Sequence, residues 1–291
     1  MQSLVRKLVL DDKPEVEALC ATIWEGNDYV PSVFSNWVSG ENTHMMGVFS
    51  DSQLVAICNL EIIRGTTVGW VEGLRVREGH RNQGHASRIV SEIVELARQK
   101  GLKTLRYATG SLNLESQAVA RKTGFHLATS VGYLRIERPF PPHPRPSPSV
   151  VPLEVEPSRL LQFLEVSPDL IDVERVPISW SFESKDLQGL QRVSAKTKFR
   201  VVVEDTGIAS GLYYSQKVHD NGEDRMTFHV FATDRAVFVD IMSRMIEEAD
   251  ASNADSAVFF LGPRVKEWSK SLGYADPEFD DRAFLLFERG L

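Results

Sequence analysis

The sequence predicts a mixed α/β (α+β) chain in two parts, a sheet domain crossed by helices and then a second, smaller α/β domain. Three observations predict it. Across residues 70–97 the apolar period changes from 2, with Leu74 and Val76 alternating against polar neighbours, to 3.6, with Ile89, Val90, Ile93, Val94 and Ala97 on one helical face. The strand, helix, strand order around that change returns in the C-terminal half. Between the halves, residues 138–157 hold eight of the fourteen prolines and suit neither a helix nor a central strand. The domains therefore read as 1–138, an extended, semi-rigid linker over 139–157, and 158–291.

In chain order, residues 3–10 read as an edge strand and 12 to about 24 as a helix. In that helix Asp12 and Glu15 form a capping box, Pro14 sits in the first turn, and Val16, Leu19, Cys20 and Ile23 share a face. A short helix begins at Pro31 and closes near Gly40. Residues 46–50 and 54–63 are strands of a hairpin, and 67–76 returns as the central strand. The helix from about 84 to 100 stops at Gly101, and 104–108 then runs parallel to the central strand as the second strand of a βαβ unit. A helix over 113–123 and strands over 125–128 and 132–137 complete the first domain. The second half offers a hairpin (199–203 and 208–216), a strand at 227–231, a helix at 234–249, a strand at 257–261, a short helix through Trp268 and a last strand at 283–287.

Composition narrows the classes. At 291 residues, 42% hydrophobic and 25% charged, the chain is long enough for two cores, and no apolar run reaches a membrane span. The N-terminus has charges within its apolar segment and reads as a strand rather than a signal peptide. Cys20 and Cys58, each in an apolar setting, read as buried thiols of a reducing compartment, which points to a cytoplasmic protein without a metal site. The net charge of −7 argues against nucleic acid as a partner.

Against that background, residues 75–88 carry four arginines (75, 77, 81 and 88) and one glutamate (Glu78), a local +3. The loop Arg81-Asn82-Gln83-Gly84-His85-Ala86 enters the long helix, where unpaired N–H groups and the positive dipole end attract an anion. Gly84 has no Cβ and Ala86 a minimal side chain, so a phosphate can touch the backbone there. Arg-x-x-Gly-x-Ala between an extended Leu-x-Val and a long amphipathic helix resembles the acetyl-CoA site of the GNAT acyltransferase superfamily, whose pattern is Gln/Arg-x-x-Gly-x-Gly/Ala. Asn113-Leu-Glu-Ser116 followed by Arg121-Lys122-Thr123-Gly124-Phe125 resembles that family's Asn-x-x-Ala/Ser and Lys-x-Gly-Phe segment.

The resemblance implies the GNAT fold, a mixed twisted sheet with helices on both faces, and acetyl-CoA as co-substrate with no metal. It places the cofactor site at Leu74, Arg75, Val76, Arg81, Asn82, Gln83, Gly84, His85, Ala86, Ser87, Asn113, Ser116 and Lys122. Lys270-Ser-Leu-Gly273-Tyr274 echoes the Lys122 segment, so the second half resembles a tandem, degenerate GNAT-like domain; an unrelated α/β domain is the alternative. Residues 233–236 hold no glycine turn, and a second donor site is not expected.

Attack of an amine on a thioester needs a neutral amine, a stabilised oxyanion and departure of a thiolate. The resemblance assigns the oxyanion to backbone N–H groups of the 74–76 strand. Glu72, two residues before Leu74 and on the same side, is the candidate base, directly or through water; the alternative is a structural ion pair with Arg75 or Arg64. Two positions before Lys122, where many family members carry a tyrosine acid, this chain has Ala120. A thiol with a pKa of about 8.5 leaves as the anion near neutrality at a cost of about 2 kcal/mol, which needs no dedicated acid. Tyr107, Tyr133 and water are the other candidate donors.

Residues 27–31, Trp37 and 71–76 are similar to the histidine N-acetyltransferase-like subgroup, which implies the α-amine of a small amino acid as acceptor. On that reading Asp28 and Glu72 hold the ammonium, Arg75 the carboxylate, and Trp24, Tyr29 and Trp37 an aromatic or imidazole ring, with both tryptophans as ordinary core residues in the alternative. Two other functions remain open, acetylation of a peptide or protein amine and a non-catalytic acyl-CoA-binding sensor. The protein is expected to act as a monomer or homodimer, without nucleic-acid or membrane partners.

Overall fold

Strand β1 (Ser3–Lys7) pairs antiparallel with β2 (Thr43–Ser50), β2 with β3 (Gln53–Ile62), and β3 with β4 (Val68–Val76). Helix α1 (Lys13–Cys20) and α2 (Val30–Ser39) fill the long connection from β1 to β2, and α3 (His85–Gln99) crosses over from β4 to the parallel strand β5 (Thr104–Gly110). Helix α4 (Leu114–Lys122) follows. The computed structural model describes residues 3–220, 222–274 and 282–291, and these elements lie in the first of its two units, Met1–Thr109, Asn113–Leu127 and Leu286–Leu291.

The apolar pattern explains why. Ile89, Val90, Ile93, Val94 and Ala97, the expected face of α3, are all buried. Val16, Leu19, Val30 and Phe34 of α1 and α2 pack with Met45, Leu54 and Ile57 of the sheet. Each such side chain withdrawn from water contributes roughly 1.5–3 kcal/mol. Gly101, at φ +73°, follows the C-terminus of α3 in the left-handed conformation that glycine tolerates.

Three expectations are corrected in this unit. The helix after β1 is shorter than 12–24: α1 ends at Cys20, and Ile23–Gly26 forms a separate tight turn in which Trp24 has φ +48°. Asp12 does not cap α1 through its side chain; the carboxylate accepts from both terminal nitrogens of Arg6 at 2.7 Å and from the Val9 N–H at 2.8 Å. The third concerns the last strands. Residues 126–137 form one strand, β6 (His126–Glu137), which pairs over Gly132–Leu261 to Glu137–Ser256 and from Ala128 onward lies in the second unit. The strand position beside β5 is taken by the C-terminal residues, held by the buried Arg106–Glu288 ion pair (2.9 Å) and by the Leu291 N–H to the Lys103 carbonyl (3.0 Å).

The second unit, Gly110–Leu112 and Ala128–Leu285, adds β7 (Leu153–Val155), α5 (Pro157–Val166), the hairpin β8 (Arg175–Ile178) and β9 (Ser181–Ser184), and α6 (Leu187–Ser194). Strands β10 (Phe199–Val203), β11 (Ala209–Asp220) and β12 (Glu223–Ala232) are antiparallel neighbours. Helix α7 (Arg235–Ala251) then leads to β13 (Ser256–Leu261), parallel to β12, before α8 (Pro263–Ser271) and β14 (Ala283–Gly290). This repeats the β2, β3, β4, α3, β5 connectivity of the first unit. The turn differs: Asp234, two residues after β12, caps α7 by accepting from the Val237 N–H at 2.9 Å, so a side chain already occupies that helix end.

The proline-rich stretch is not a free linker. Its Ser147 N–H bonds the Asp240 carboxylate, Arg244 donates to the Ser147 carbonyl at 2.9 Å, and Phe140 and Val150 pack on the second unit's core. Pro157, placed in the linker by composition, opens α5. Cys20 and Cys58 are buried free thiols. Among the described residues no helix is long and apolar enough to cross a membrane, and no group of three metal-ligating side chains is present.

Candidate active site

The loop between β4 and α3 is shaped by left-handed residues at Gly79 (φ +82°), Asn82 (φ +62°) and Gly84 (φ +83°). Gln83 braces it, donating from Nε2 to the Gly79 carbonyl at 3.1 Å. Gly84 is the N-cap of α3, and no side chain caps the helix, whose first N–H groups belong to His85, Ala86 and Ser87. A Cβ at Gly84 would meet no atom within 4 Å, and Arg81, Asn82 and Gln83 are exposed around it. The loop is therefore an open anion cradle at the positive end of a helix dipole. The His85 pKa is lowered by burial and by the charges of His80 and Arg88, and its ring lies 6.1 Å from that of His80.

Beside the cradle, the sheet splits. The β4–β5 register runs from Val68–Thr104 to Val71–Tyr107 and ends there, whereas β3–β4 pairing continues to Ala56–Val76. The Arg77 N–H bonds the Val55 carbonyl at 2.8 Å, so strand alternation turns the Val76 N–H to the opposite, unpaired side. A bulge marks the split: three steps from Glu72 to Arg75 face two from Asn59 to Ile57, and the extra residue lies at Gly73, φ +64°. A Cβ on Gly73 would come within 2.6 Å of the Trp37 ring, so only glycine lets α2 lie this close to β4.

Glu72 stands at this bulge. Its Oε1 accepts from the Asn59 Nδ2 at 3.0 Å. Burial pushes its carboxyl up to about 7, with the Asn59 bond opposing and the Glu61 charge reinforcing the shift. The alternative reading of Glu72 as the ion-pair partner of Arg75 is not what the structure shows, since Arg75 is turned to Asp28.

Asp28 and Arg75, both expected to face the substrate, are paired with one another. Arg75 grips Asp28 through Nε (2.7 Å) and a terminal nitrogen (2.9 Å), and its other terminal nitrogen donates to the Leu74 carbonyl at 3.0 Å. Asp28 also accepts from the Val30 N–H at 3.1 Å, and its side chain is 1% exposed against 12% for Arg75. Burial works against the Arg75 charge, but the Asp28 hydrogen bonds and charge outweigh it and hold the guanidinium pKa above its ordinary value. The pair anchors the segment before α2 to β4. Asp28→Ala leaves that guanidinium buried without its partner, and denaturant unfolding should show a loss of about 3–5 kcal/mol.

The aromatic residues surround this pair. Trp24 is 59% exposed, so it is not a core residue, and its ring carries the Arg75 guanidinium at 4.5 Å. Tyr29 stacks on Trp24 (6.4 Å between centroids) and meets Trp37 edge-on at 6.1 Å. Burial raises the Tyr29 phenol to about 12.

In α4, Asn113 is the N-cap, accepting from the Ser116 N–H at 3.0 Å, and Lys122 is an exposed residue of the last turn, at the far end of the helix. The Ser116 hydroxyl is hydrogen-bonded to the Tyr107 hydroxyl, so β5 supplies a phenol one turn before the buried Ala120. Burial raises Tyr107 to about 12, with the Ser116 bond opposing. Sequence reasoning missed Asn59 and Gly73. The signals were present, a polar residue inside the apolar run 54–60 and a glycine inside a strand.

Residues 10–125 match the acetyltransferase (GNAT) family. A tandem GNAT protein from the clavulanic acid biosynthesis pathway shares the fold at 14% identity, over 99% of this chain and 98% of its own, with a TM-score of 0.60. A GCN5-related N-acetyltransferase from Sphaerobacter thermophilus does so at 12% identity, over 99% and 95% of the two chains, with a TM-score of 0.62. No curated protein sequence matches the chain. The chain thus has the GNAT fold, and the stretch similar to the GNAT acetyltransferases is residues 10–125.

Proposed function

We propose that this protein transfers the acetyl group of acetyl-CoA to the amine of a small amino acid or related metabolite, with Glu72 as the general base. The observation that carries this reading is the position of a buried carboxylate, its pKa raised to about 7, at the point where β4 loses its β5 neighbour. Acetyl-CoA supplies the activated acyl group; the residues that fit its diphosphate are the amides of Gly84, His85, Ala86 and Ser87, with Arg81, Asn82 and Gln83 around them. Leu74, Arg75 and Val76 offer backbone, and the unpaired side of β4 carries the Val76 N–H towards charge growing on the thioester oxygen. Glu72 takes a proton from the acceptor ammonium, whose pKa for an α-amine is about 8, within reach of a base near 7.

For the acceptor, Glu72 provides negative charge, and Tyr29 and Trp37 provide aromatic walls, which suits an amine on a compact or ring-bearing molecule. With Arg75 engaged by Asp28, the support for a free amino-acid carboxylate does not come from that guanidinium. Tyr107, held near 12, keeps its proton, and its hydroxyl shares one hydrogen bond with that of Ser116. Tyr107→Phe should lower kcat by no more than about thirtyfold, because releasing the thiolate costs only about 2 kcal/mol. The second unit, with its helix end capped by Asp234, is proposed as a degenerate GNAT-like domain that binds no CoA.

Thiol release with purified protein, acetyl-CoA and a panel of free amino acids, small amines and peptides tests the proposal. Turnover of a small amine, histidine among the candidates, supports it. Turnover of peptides alone would replace it with protein acetylation, and CoA binding without turnover of any amine would leave a sensor.

A further inference from the structure

Asn59 is fully buried in β3, directly across from Glu72 in the antiparallel register. It is polar in a strand whose residues Leu54 to Cys58 and Leu60 are completely buried and otherwise apolar. A buried amide in such a place is unfavourable unless its hydrogen bonds are made. Asn59 makes one of them, from Nδ2 to the Glu72 Oε1 at 3.0 Å, while its Oδ1 has no hydrogen-bond partner. A leucine would fill the volume without leaving a polar atom unsatisfied, so packing does not account for the amide.

We infer that Asn59 is a positioning residue for Glu72, an amide that fixes the carboxylate at the β4 bulge by donating to it. This rests on the reading of Glu72 as the base. Toward the carboxylate, the Nδ2 group donates. No bond beyond the proton transfer itself is made or broken, and the proton then leaves to solvent. The contact requires a donor that carries no charge of its own, which Asn supplies and Leu, Asp or Lys does not.

The other groups facing Glu72 do not supply this. Glu61, two residues along β3, has a like charge that disfavours the carboxylate. Tyr29, before α2, feels the Glu72 charge but its phenol stays protonated, and Arg75 on β4 is held by Asp28. Cys58, whose thiol is pushed up by burial, lies 3.5 Å from the Glu72 backbone carbonyl, not its carboxylate. Asn59 is therefore the hydrogen bond that favours the ionised base against burial and Glu61.

The test is the pH profile of kcat/KM in wild type, Asn59→Leu and Asn59→Ala, measured with two amines of different pKa so that the limb belonging to the enzyme is the one common to both. Loss of the amide should move that limb up by about one pH unit or more, costing roughly tenfold in rate below the limb and little at pH 9. CoA affinity, read by calorimetry, should not move, and Asn59→Ser, which restores a small donor and acceptor, should bring the limb part of the way back. A limb at the wild-type pH in a folded, CoA-binding Leu or Ala variant overturns the inference. Glu72→Gln, run alongside, separates the two readings. If Glu72→Gln keeps the limb, the base assignment itself fails; if it removes the limb while the Asn59 variants leave it in place, only the role of Asn59 fails.

Discussion

Replacing Glu72 with Gln is expected to lower kcat/KM by about 10²–10³ at pH 7.5, the usual contribution of a positioned base. The substitution keeps the side-chain volume and leaves an oxygen able to accept from the Asn59 amide, so the β4 bulge and the fold should persist. What it removes is the proton acceptor. The sign of the pH dependence follows from the direction of the shift. A base must be ionised to act, and a carboxyl raised to about 7 is mostly protonated at pH 6, so wild-type activity climbs through that region and levels above it. In Glu72→Gln the climb should vanish, leaving only the titration of the amine. Steady-state rates at saturating acetyl-CoA across pH 5.5–9.5 check both the magnitude and the shape.

Gly84→Val should act on the other substrate. At φ +83° any side chain is strained, by roughly 1–2 kcal/mol, and a β-branched one more so. Nothing in the protein lies within 4 Å of the Cβ it would add, so the larger effect falls on whatever the cradle holds. A branched side chain at the helix N-terminus keeps an anion from the first N–H groups. Losing two hydrogen bonds to a charged ligand, each worth about 1.5–3 kcal/mol, raises KM for acetyl-CoA by about 100-fold or more. At saturating acetyl-CoA kcat should change little, because Glu72 and the bulge lie outside the loop. Calorimetric titration with CoA separates this loss of binding from a loss of chemistry.

The elements the sequence announced are those whose information is local. The α3 face, the Gly101 stop, the glycine turn at 84 and the helix over 113–123 are each written in neighbouring residues, and the structure places them where the pattern does. What escaped depends on distant partners. Asp28 and Arg75 are 47 positions apart, and each alone looks like a residue awaiting substrate; only their approach shows that they neutralise one another. Asp12 carried the signature of a helix cap, but Arg6 competes for the same carboxylate and offers two strong hydrogen bonds. The exchange of β6 for the C-terminal strand has no local signature either, since both segments read as strands and period alone does not choose their neighbours. For Trp24 the core alternative falls, because the turn at Ile23–Gly26 turns it outward over the Arg75 cation.

On the proposed reading, the amides around Gly84 hold the carrier's diphosphate so that its acyl end arrives beside Glu72. A crystal structure with bound CoA tests it most directly. Diphosphate oxygens are expected within hydrogen-bond distance of the N–H groups of residues 84–87, with the pantetheine running along the unpaired edge of β4 and its sulfur ending near Val76 and Glu72. A diphosphate bound elsewhere, or a sulfur leading away from the β4 bulge, would contradict it.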